Sequence, residues 1–255
     1  MQMVRLSEQL RTELIDLLCN GVSIKKVSRS TRIAKSTIYY HYRKLYGKKY
    51  QEPEFTPGAS ELEGEIVGIF TGDGSQYHDR KRWAYEVNVH FGGHNLAYAQ
   101  YARNLFETFF NKKFRLAREK SGVFRLRIRS KKIFSYFSTY IDYLPQRKHV
   151  TVHLKTLEIP SAFKIGFLRG LFDTDGSILA TSDRKSIRVI FYTTSTILAQ
   201  DVLYLLGELN FRVGYFVTKR PERGFKDLYT VYLWKQSVDS FLNIIKPHKG
   251  RILGR

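Results

Sequence analysis

The chain has 255 residues, with 43 Lys or Arg against 23 Asp or Glu, a net charge of +20 and a pI near 10.0. A hydrophobic content of 43% excludes a disordered chain and suits one large or two modest globular domains. The single cysteine, Cys19, excludes an intrachain disulfide and a cysteine-based zinc cluster, and no apolar run of about 18 residues offers a membrane span. The positive charge therefore points to a polyanion, with nucleic acid the first candidate.

No signal-peptide core lies in Met1–Arg5, and Glu8 and Glu13 argue against a transit peptide, so the reading is an intracellular protein, cytoplasmic or nucleoid-associated. Residues 1–50 carry eleven Lys/Arg and three Asp/Glu and are read as a small all-α domain. Ser7 is placed to cap a first helix whose apolar stripe is Leu10, Leu14, Leu17 and Leu18, stopped by Asn20-Gly21. Ser23 is placed to cap a second, Ile24 to Ser30, and a third runs from Lys35 to Lys44. Val22, Val27, Ile33 and Ile38 fall where a trihelical core needs them. This segment resembles the helix-turn-helix of Hin-type recombinases. The resemblance implies that Lys35, Ser36, Thr37, Tyr39 and Tyr40 meet base edges in the major groove. Residues 51–60, with two prolines, a glycine and no periodicity, read as a linker.

Beyond the linker the chain repeats itself. Ile66-Val67-Gly68-Ile69-Phe70-Thr71-Gly72-Asp73-Gly74 is echoed by Leu168-Arg169-Gly170-Leu171-Phe172-Asp173-Thr174-Asp175-Gly176, and Ser follows both. The two final aspartates are 102 positions apart. Ala99-Gln100 returns as Ala199-Gln200, and Pro145 as Pro247, so residues 61–150 and 151–255 read as two halves. Each half is predicted to run helix, strands, helix, strands, helix. Strands are expected at 83–91 and 124–129, then at 187–193, 213–219 and 229–234. Period-2 alternation in Tyr85–Phe91 leaves one sheet face to pack and one to meet a ligand.

Residues 60–255 resemble the single-chain, two-motif LAGLIDADG homing endonucleases. The resemblance implies an α+β fold, a pseudo-twofold pair of αββαββα halves behind the amino-terminal helix-turn-helix, acting as a monomer on double-stranded DNA. Gly68 and Gly170 would let two helix backbones meet. Asp73 and Asp175, at the helix ends, would then share a site with the backbone carbonyls of Gly72 and Thr174, an oxygen set suited to Mg²⁺ or Mn²⁺. Gly74 and Gly176 are expected to turn the chain away in a left-handed conformation. Asp173, where the first motif has Thr71, is read as a capping or packing residue ahead of a metal ligand. Lys148 and Lys249 are the positional matches for the basic residues that the family keeps near the scissile phosphate. His94 and Thr194 are matches for polar residues that orient water.

For DNA contact the candidates are Arg80 and Arg82 in the first half and Arg184, Lys185 and Arg188 in the second. Arg115 and Arg118 are expected at one hairpin tip, and Lys219, Arg220, Arg223 and Lys226 at its counterpart. The function implied is site-specific double-strand DNA cleavage. Two readings stand beside it. One is a non-cutting regulator that joins a LAGLIDADG-like domain to a helix-turn-helix; the other is a maturase acting on intron RNA.

Overall fold

The computed structural model describes residues 6–47, 52–81, 83–180, 187–220 and 226–251. The chain divides into two compact units, residues 1–52 and 53–255.

In the first unit, α1 (Glu8–Cys19), α2 (Ile24–Thr31) and α3 (Lys35–Tyr46) enclose Leu14, Leu18, Val27, Ile33 and Ile38. Ser7 accepts from Leu10 N and Ser23 from Lys26 N, so both serines satisfy orphan amides at helix starts. α2 ends where Arg32 adopts a left-handed φ of 57°. The third helix runs two residues past the sequence expectation, to a stop at Gly47.

The second unit is built twice from one plan. The first half runs α4 (Glu61–Asp73), β1 (Gly74–Asp79), β2 (Ala84–Phe91), α5 (Leu96–Phe110), β3 (Arg115–Arg118), β4 (Phe124–Arg129) and α6 (Lys131–Tyr140). A two-residue ribbon, β5 (Ile141–Asp142) with β6 (His153–Leu154), brackets the short α7 (Lys148–Thr151). The second half runs α8 (Ser161–Asp175), β7 (Gly176–Ala180), β8 (Ile187–Thr193), α9 (Thr196–Glu208), β9 (Val213–Thr218), β10 (Leu228–Leu233), α10 (Lys235–Ile245) and α11 (His248–Arg251). The two sheets have the same order, β1-β2-β4-β3 and β7-β8-β10-β9, with every neighbour antiparallel. This is the α+β architecture expected from the repeat. Among the described residues no helix is long and apolar enough to cross a membrane.

The halves join through α4 and α8, which pack backbone to backbone. A Cβ on Gly68 would overlap the Phe167 carbonyl oxygen and lie 2.9 Å from Leu171 N; on Gly170 it would overlap the Glu65 carbonyl and lie 2.6 Å from Ile69 N. Gly64 and Gly166, one turn earlier, make the same approach to Phe163 and Glu61, so each helix carries its glycines four residues apart on one face. The sequence reading used only the second of each pair. One ion cluster crosses the seam. Arg169 of α8 donates to Glu65 at 3.0 Å and to Glu61, both on α4, while its Nε donates to Ile245 O at 2.6 Å. Each sheet lays its apolar face on these helices: Val87, Val89, Leu126 and Ile128 in one half, Val189, Phe191, Val231 and Leu233 in the other.

Candidate active site at the ends of the paired helices

Because α4 and α8 run side by side and each motif ends in Asp-Gly, the two carboxylates emerge together. Asp73 is the last residue of α4 and Asp175 the last of α8. The following glycines do not adopt the expected left-handed turn. Gly74 and Gly176 both have φ −84°, with extended ψ values of 156° and 163°, and each starts a strand at once. Glycine stands there for space. A Cβ on Gly74 would overlap the Phe70 ring, and on Gly176 it would lie 2.8 Å from Phe172 Cα. The helix therefore passes into the strand with no loop between them, which fixes each acid between two regular elements.

Asp73 and Asp175 line one cleft of about 570 Å³, together with Gly72, Lys148, His149, Tyr192 and Thr194. Burial pushes the Asp73 carboxyl up to about 7; the Asp175 charge adds to this, and Lys148 and Lys249 oppose it. Burial also raises Asp175, against the pull of the same two lysines. Lys148 is depressed to about 8 by burial, although both aspartates favour its charged form.

Each lysine reaches its site from the end of its own half. Lys148 Nζ donates to Phe70 O at 2.9 Å, Gly72 O at 3.1 Å and Gly74 O at 2.6 Å. Lys249 Nζ donates to Thr174 O at 3.1 Å and Gly176 O at 2.8 Å. The Gly72 and Thr174 carbonyls lie in the last turns of α4 and α8, where the helix dipole favours a cation, and the Gly74 and Gly176 carbonyls open the strands that follow. The Gly72 and Thr174 carbonyls named from sequence as metal donors thus accept from ammonium groups. Asp173 accepts from His248 N at 3.0 Å and Lys249 N at 2.9 Å, so it caps α11 and holds Lys249 in place. Thr71, at the matching position, bonds back to Val67 O within its own helix.

Among the described residues no group of three or more His, Cys, Asp or Glu side chains forms a metal cluster. The donor set is the two carboxylates, since the neighbouring helix-end carbonyls accept from the lysines. It fits a hard cation such as Mg²⁺, which binds through one or two carboxylates and keeps several waters. Two half-buried acids repelling each other are what such a charge would relieve.

Of the remaining sequence candidates, Thr194 lines the cleft and donates to His149 O at 2.6 Å, whereas His94 is exposed on the β2–α5 connection and is absent from the cleft's lining. The His90 ring lies near the Asp73 backbone, although it too is absent from the cleft's lining, and Tyr192, which lines the cleft, occupies the matching position in the second half. The alternation of β2 could have found His90, since it shares a face with Glu86 and Asn88.

The free face of the first sheet is basic. Arg115, Arg125, Arg127 and Arg129 lie on it, opposite the apolar Leu126 and Ile128. Glu86 receives Arg129 Nε at 3.0 Å and lies 3.7 Å from Arg127. Of these four arginines the sequence reading named only Arg115, although Phe124-Arg-Leu-Arg-Ile-Arg129 alternates visibly. Arg118 takes the opposite face, bonding Gly122 O at 3.3 Å and covering the Phe124 ring. Arg80, Arg188, Lys219 and Lys226 are exposed, and Arg220 bonds Lys226 O at 3.1 Å. Arg82, Arg184, Lys185 and Arg223 lie outside the described residues. In the first unit, Lys35, Ser36, Tyr39 and Tyr40 are exposed at the start of α3, Thr37 is half-buried, and Lys44 sits over the Tyr40 ring.

Residues 162–246 match the family model described as the LAGLIDADG-like domain, which places that domain in the second half of the chain. The fold is shared with the homing endonuclease I-DmoI. Its complex with DNA and Ca superposes with a TM-score of 0.58 at 18% identity, over 78% of this chain and 99% of that one. Its complex with DNA and Mn gives 0.55 at 18%, over 74% and 97%. A structure of its mesophilic variants gives 0.56 at 19%, over 74% and 98%. No curated protein matches the chain.

Proposed function

We propose that this chain is a site-specific double-strand DNA endonuclease that hydrolyses phosphodiester bonds at Asp73 and Asp175 with a divalent metal ion. One observation carries the reading. The two α4 and α8 termini bring both carboxylates to one cleft, each beside a lysine delivered by the tail of its own half. The net charge of +20 and the arginine face of the first sheet supply the counterpart to a polyanion. The I-DmoI complexes with DNA and divalent ions support both partners by analogy of fold. Both acids come from one chain, which suits action by a single copy.

Asp73 and Asp175 would hold the cation, which when bound supplies positive charge for the developing oxyanion and a more acidic water. The protein's own groups do the rest. Lys148 and Lys249 keep the helix-end carbonyls from competing for the metal and place positive charge beside the phosphate. With burial lowering it to about 8, Lys148 is also able to pass a proton near neutral pH. The three-helix unit extends the grip on DNA through the start of α3.

The test is cleavage of a randomised duplex library in Mg²⁺ or Mn²⁺. Discrete double-strand breaks that vanish in Asp73→Asn are expected. Binding to a defined site with no cutting under either metal would transfer the reading to the non-cleaving regulator.

A further inference from the structure

The two sheets are copies in topology but not in chemistry. Register makes the comparison direct, because residues paired across antiparallel strands share a face. In the first sheet Arg127 pairs with Asn88 and Arg115, and Arg125 pairs with His90 and Ala117. At the corresponding places in the second sheet, Tyr232 pairs with Ile190 and Gly214, and Thr230 pairs with Tyr192 and Phe216. Three arginines are thus replaced by Tyr, Thr and Gly, and an alanine by Phe. Leu179 and Phe216, on the same face of the second sheet, are 52% and 51% exposed, and Arg188, paired with Leu179, adds a single exposed charge among the described residues of that face.

Both faces are pre-set. Glu86 holds Arg127 and Arg129, and Glu119 holds Arg125 at 3.0 Å. Opposite, the Tyr232 ring lies across Gly214, where a Cβ would overlap it, and the Phe216 ring is 6.0 Å from Tyr232. Each face begins beside an acid of the cleft, at Gly74 or Gly176, so one duplex spanning the acids meets both.

We infer that the DNA target is asymmetric in base composition, with a G·C-rich half under the arginine face of the first sheet and an A·T-rich half under the apolar face of the second. This rests on the DNA-binding reading above. Arginine forks recognise guanine O6 and N7, whereas apolar side chains discriminate through the thymine methyl. The occupant is duplex DNA because both faces belong to sheets whose first strands start beside the two cleft acids, and the first of them is lined with arginines.

The test is selection of bound duplexes from a randomised library by full-length Asp73→Asn protein in Mg²⁺. The expected consensus is G·C-rich on one side of the centre and A·T-rich on the other. Arg127→Ala should lower the preference on the G·C side about tenfold, and Phe216→Ala that on the A·T side by a similar factor. A consensus of uniform composition, or variants that relax the opposite halves, would overturn the inference while leaving DNA binding intact. Selection of no duplex at all would overturn the DNA-binding reading itself. Tighter binding of single-stranded RNA than of any selected duplex would show the aromatic face to be a stacking platform and overturn the thymine assignment.

Discussion

Replacing Gly170 by Ala adds one methyl group to the backbone-to-backbone seam between α4 and α8. That carbon would fall 2.6 Å from Ile69 N, where ordinary contact begins at 3.4 Å, and would overlap the Glu65 carbonyl as well. The obstacle is helical backbone, which cannot rotate aside as a side chain can. α4 and α8 must part by about 1 Å, and overpacking of this size typically costs about 1–3 kcal/mol. Alanine's helix propensity returns up to about 1 kcal/mol, so a net loss of about 1–2 kcal/mol is expected by chemical denaturation. Cleavage should suffer more. The same 1 Å separates Asp73 from Asp175, and a misplacement of that size can reduce the rate on the order of a hundredfold. Gly207→Ala is the control, since a Cβ there meets nothing within 4 Å. A Gly170→Ala protein as stable and as active as the control would refute the view that backbone contact between the helices sets the acid pair.

Three further outcomes follow from the same geometry. Asp175→Asn should abolish Mg²⁺-dependent cleavage while changing duplex affinity by less than about tenfold, as a gel-shift titration against cleavage would reveal; undiminished cutting would remove Asp175 from the reaction. In metal-free protein the raised Asp73 contributes stability that is fully present below its unfolded value of 3.8 and is lost as pH rises through about 7. Urea midpoints measured in EDTA at pH 5 and pH 8 should therefore fall more in the wild type than in Asp73→Asn, and equal slopes would mean that the acid is not held out of water. Deleting residues 1–52 should weaken DNA binding and flatten the dependence of log K on log salt, because those basic side chains no longer displace counterions; an unchanged salt slope would mean that the three helices do not touch DNA.

Much of this architecture was legible because local rules and the repeat agree. Ser7 and Ser23 announce helix starts and perform the caps that their positions imply. The repeated Asp-Gly motif marks both helix-to-strand junctions, and the offset between Pro145 and Pro247 leads to Lys148 and Lys249, whose bonds to the helix ends no local pattern reveals. Reading Gly74 and Gly176 as left-handed failed because a glycine after a helix is most often a stop signal. Here each helix runs directly into a strand, and the need for glycine comes from the Phe70 and Phe172 turns. Gly64 and Gly166 escaped notice because they lie outside the repeated nine residues. Clusters of charge in the sequence mark hairpin tips, whereas Arg125, Arg127 and Arg129 are dispersed along a strand and become a patch only when the sheet forms. His90 was passed over for His94, because distance to the acids is a property of the sheet and not of the sequence.

The ion cluster of Arg169 with Glu61 and Glu65 bears on how this gene can still change. Counting along the repeat, Arg169 corresponds to Val67, and the two glutamates correspond to Phe163 and Phe167. A pairing of two first halves would set the buried Glu65 against valine, and a pairing of two second halves would set Arg169 against phenylalanine. Either would strand a charge away from water, at a penalty of about 3–5 kcal/mol for each broken partner. The repeated halves therefore fit each other as a lock fits a single key. Neither half retains a twin to dimerise with, and a frameshift or recombination event that separated them would release two orphans with unmatched charges.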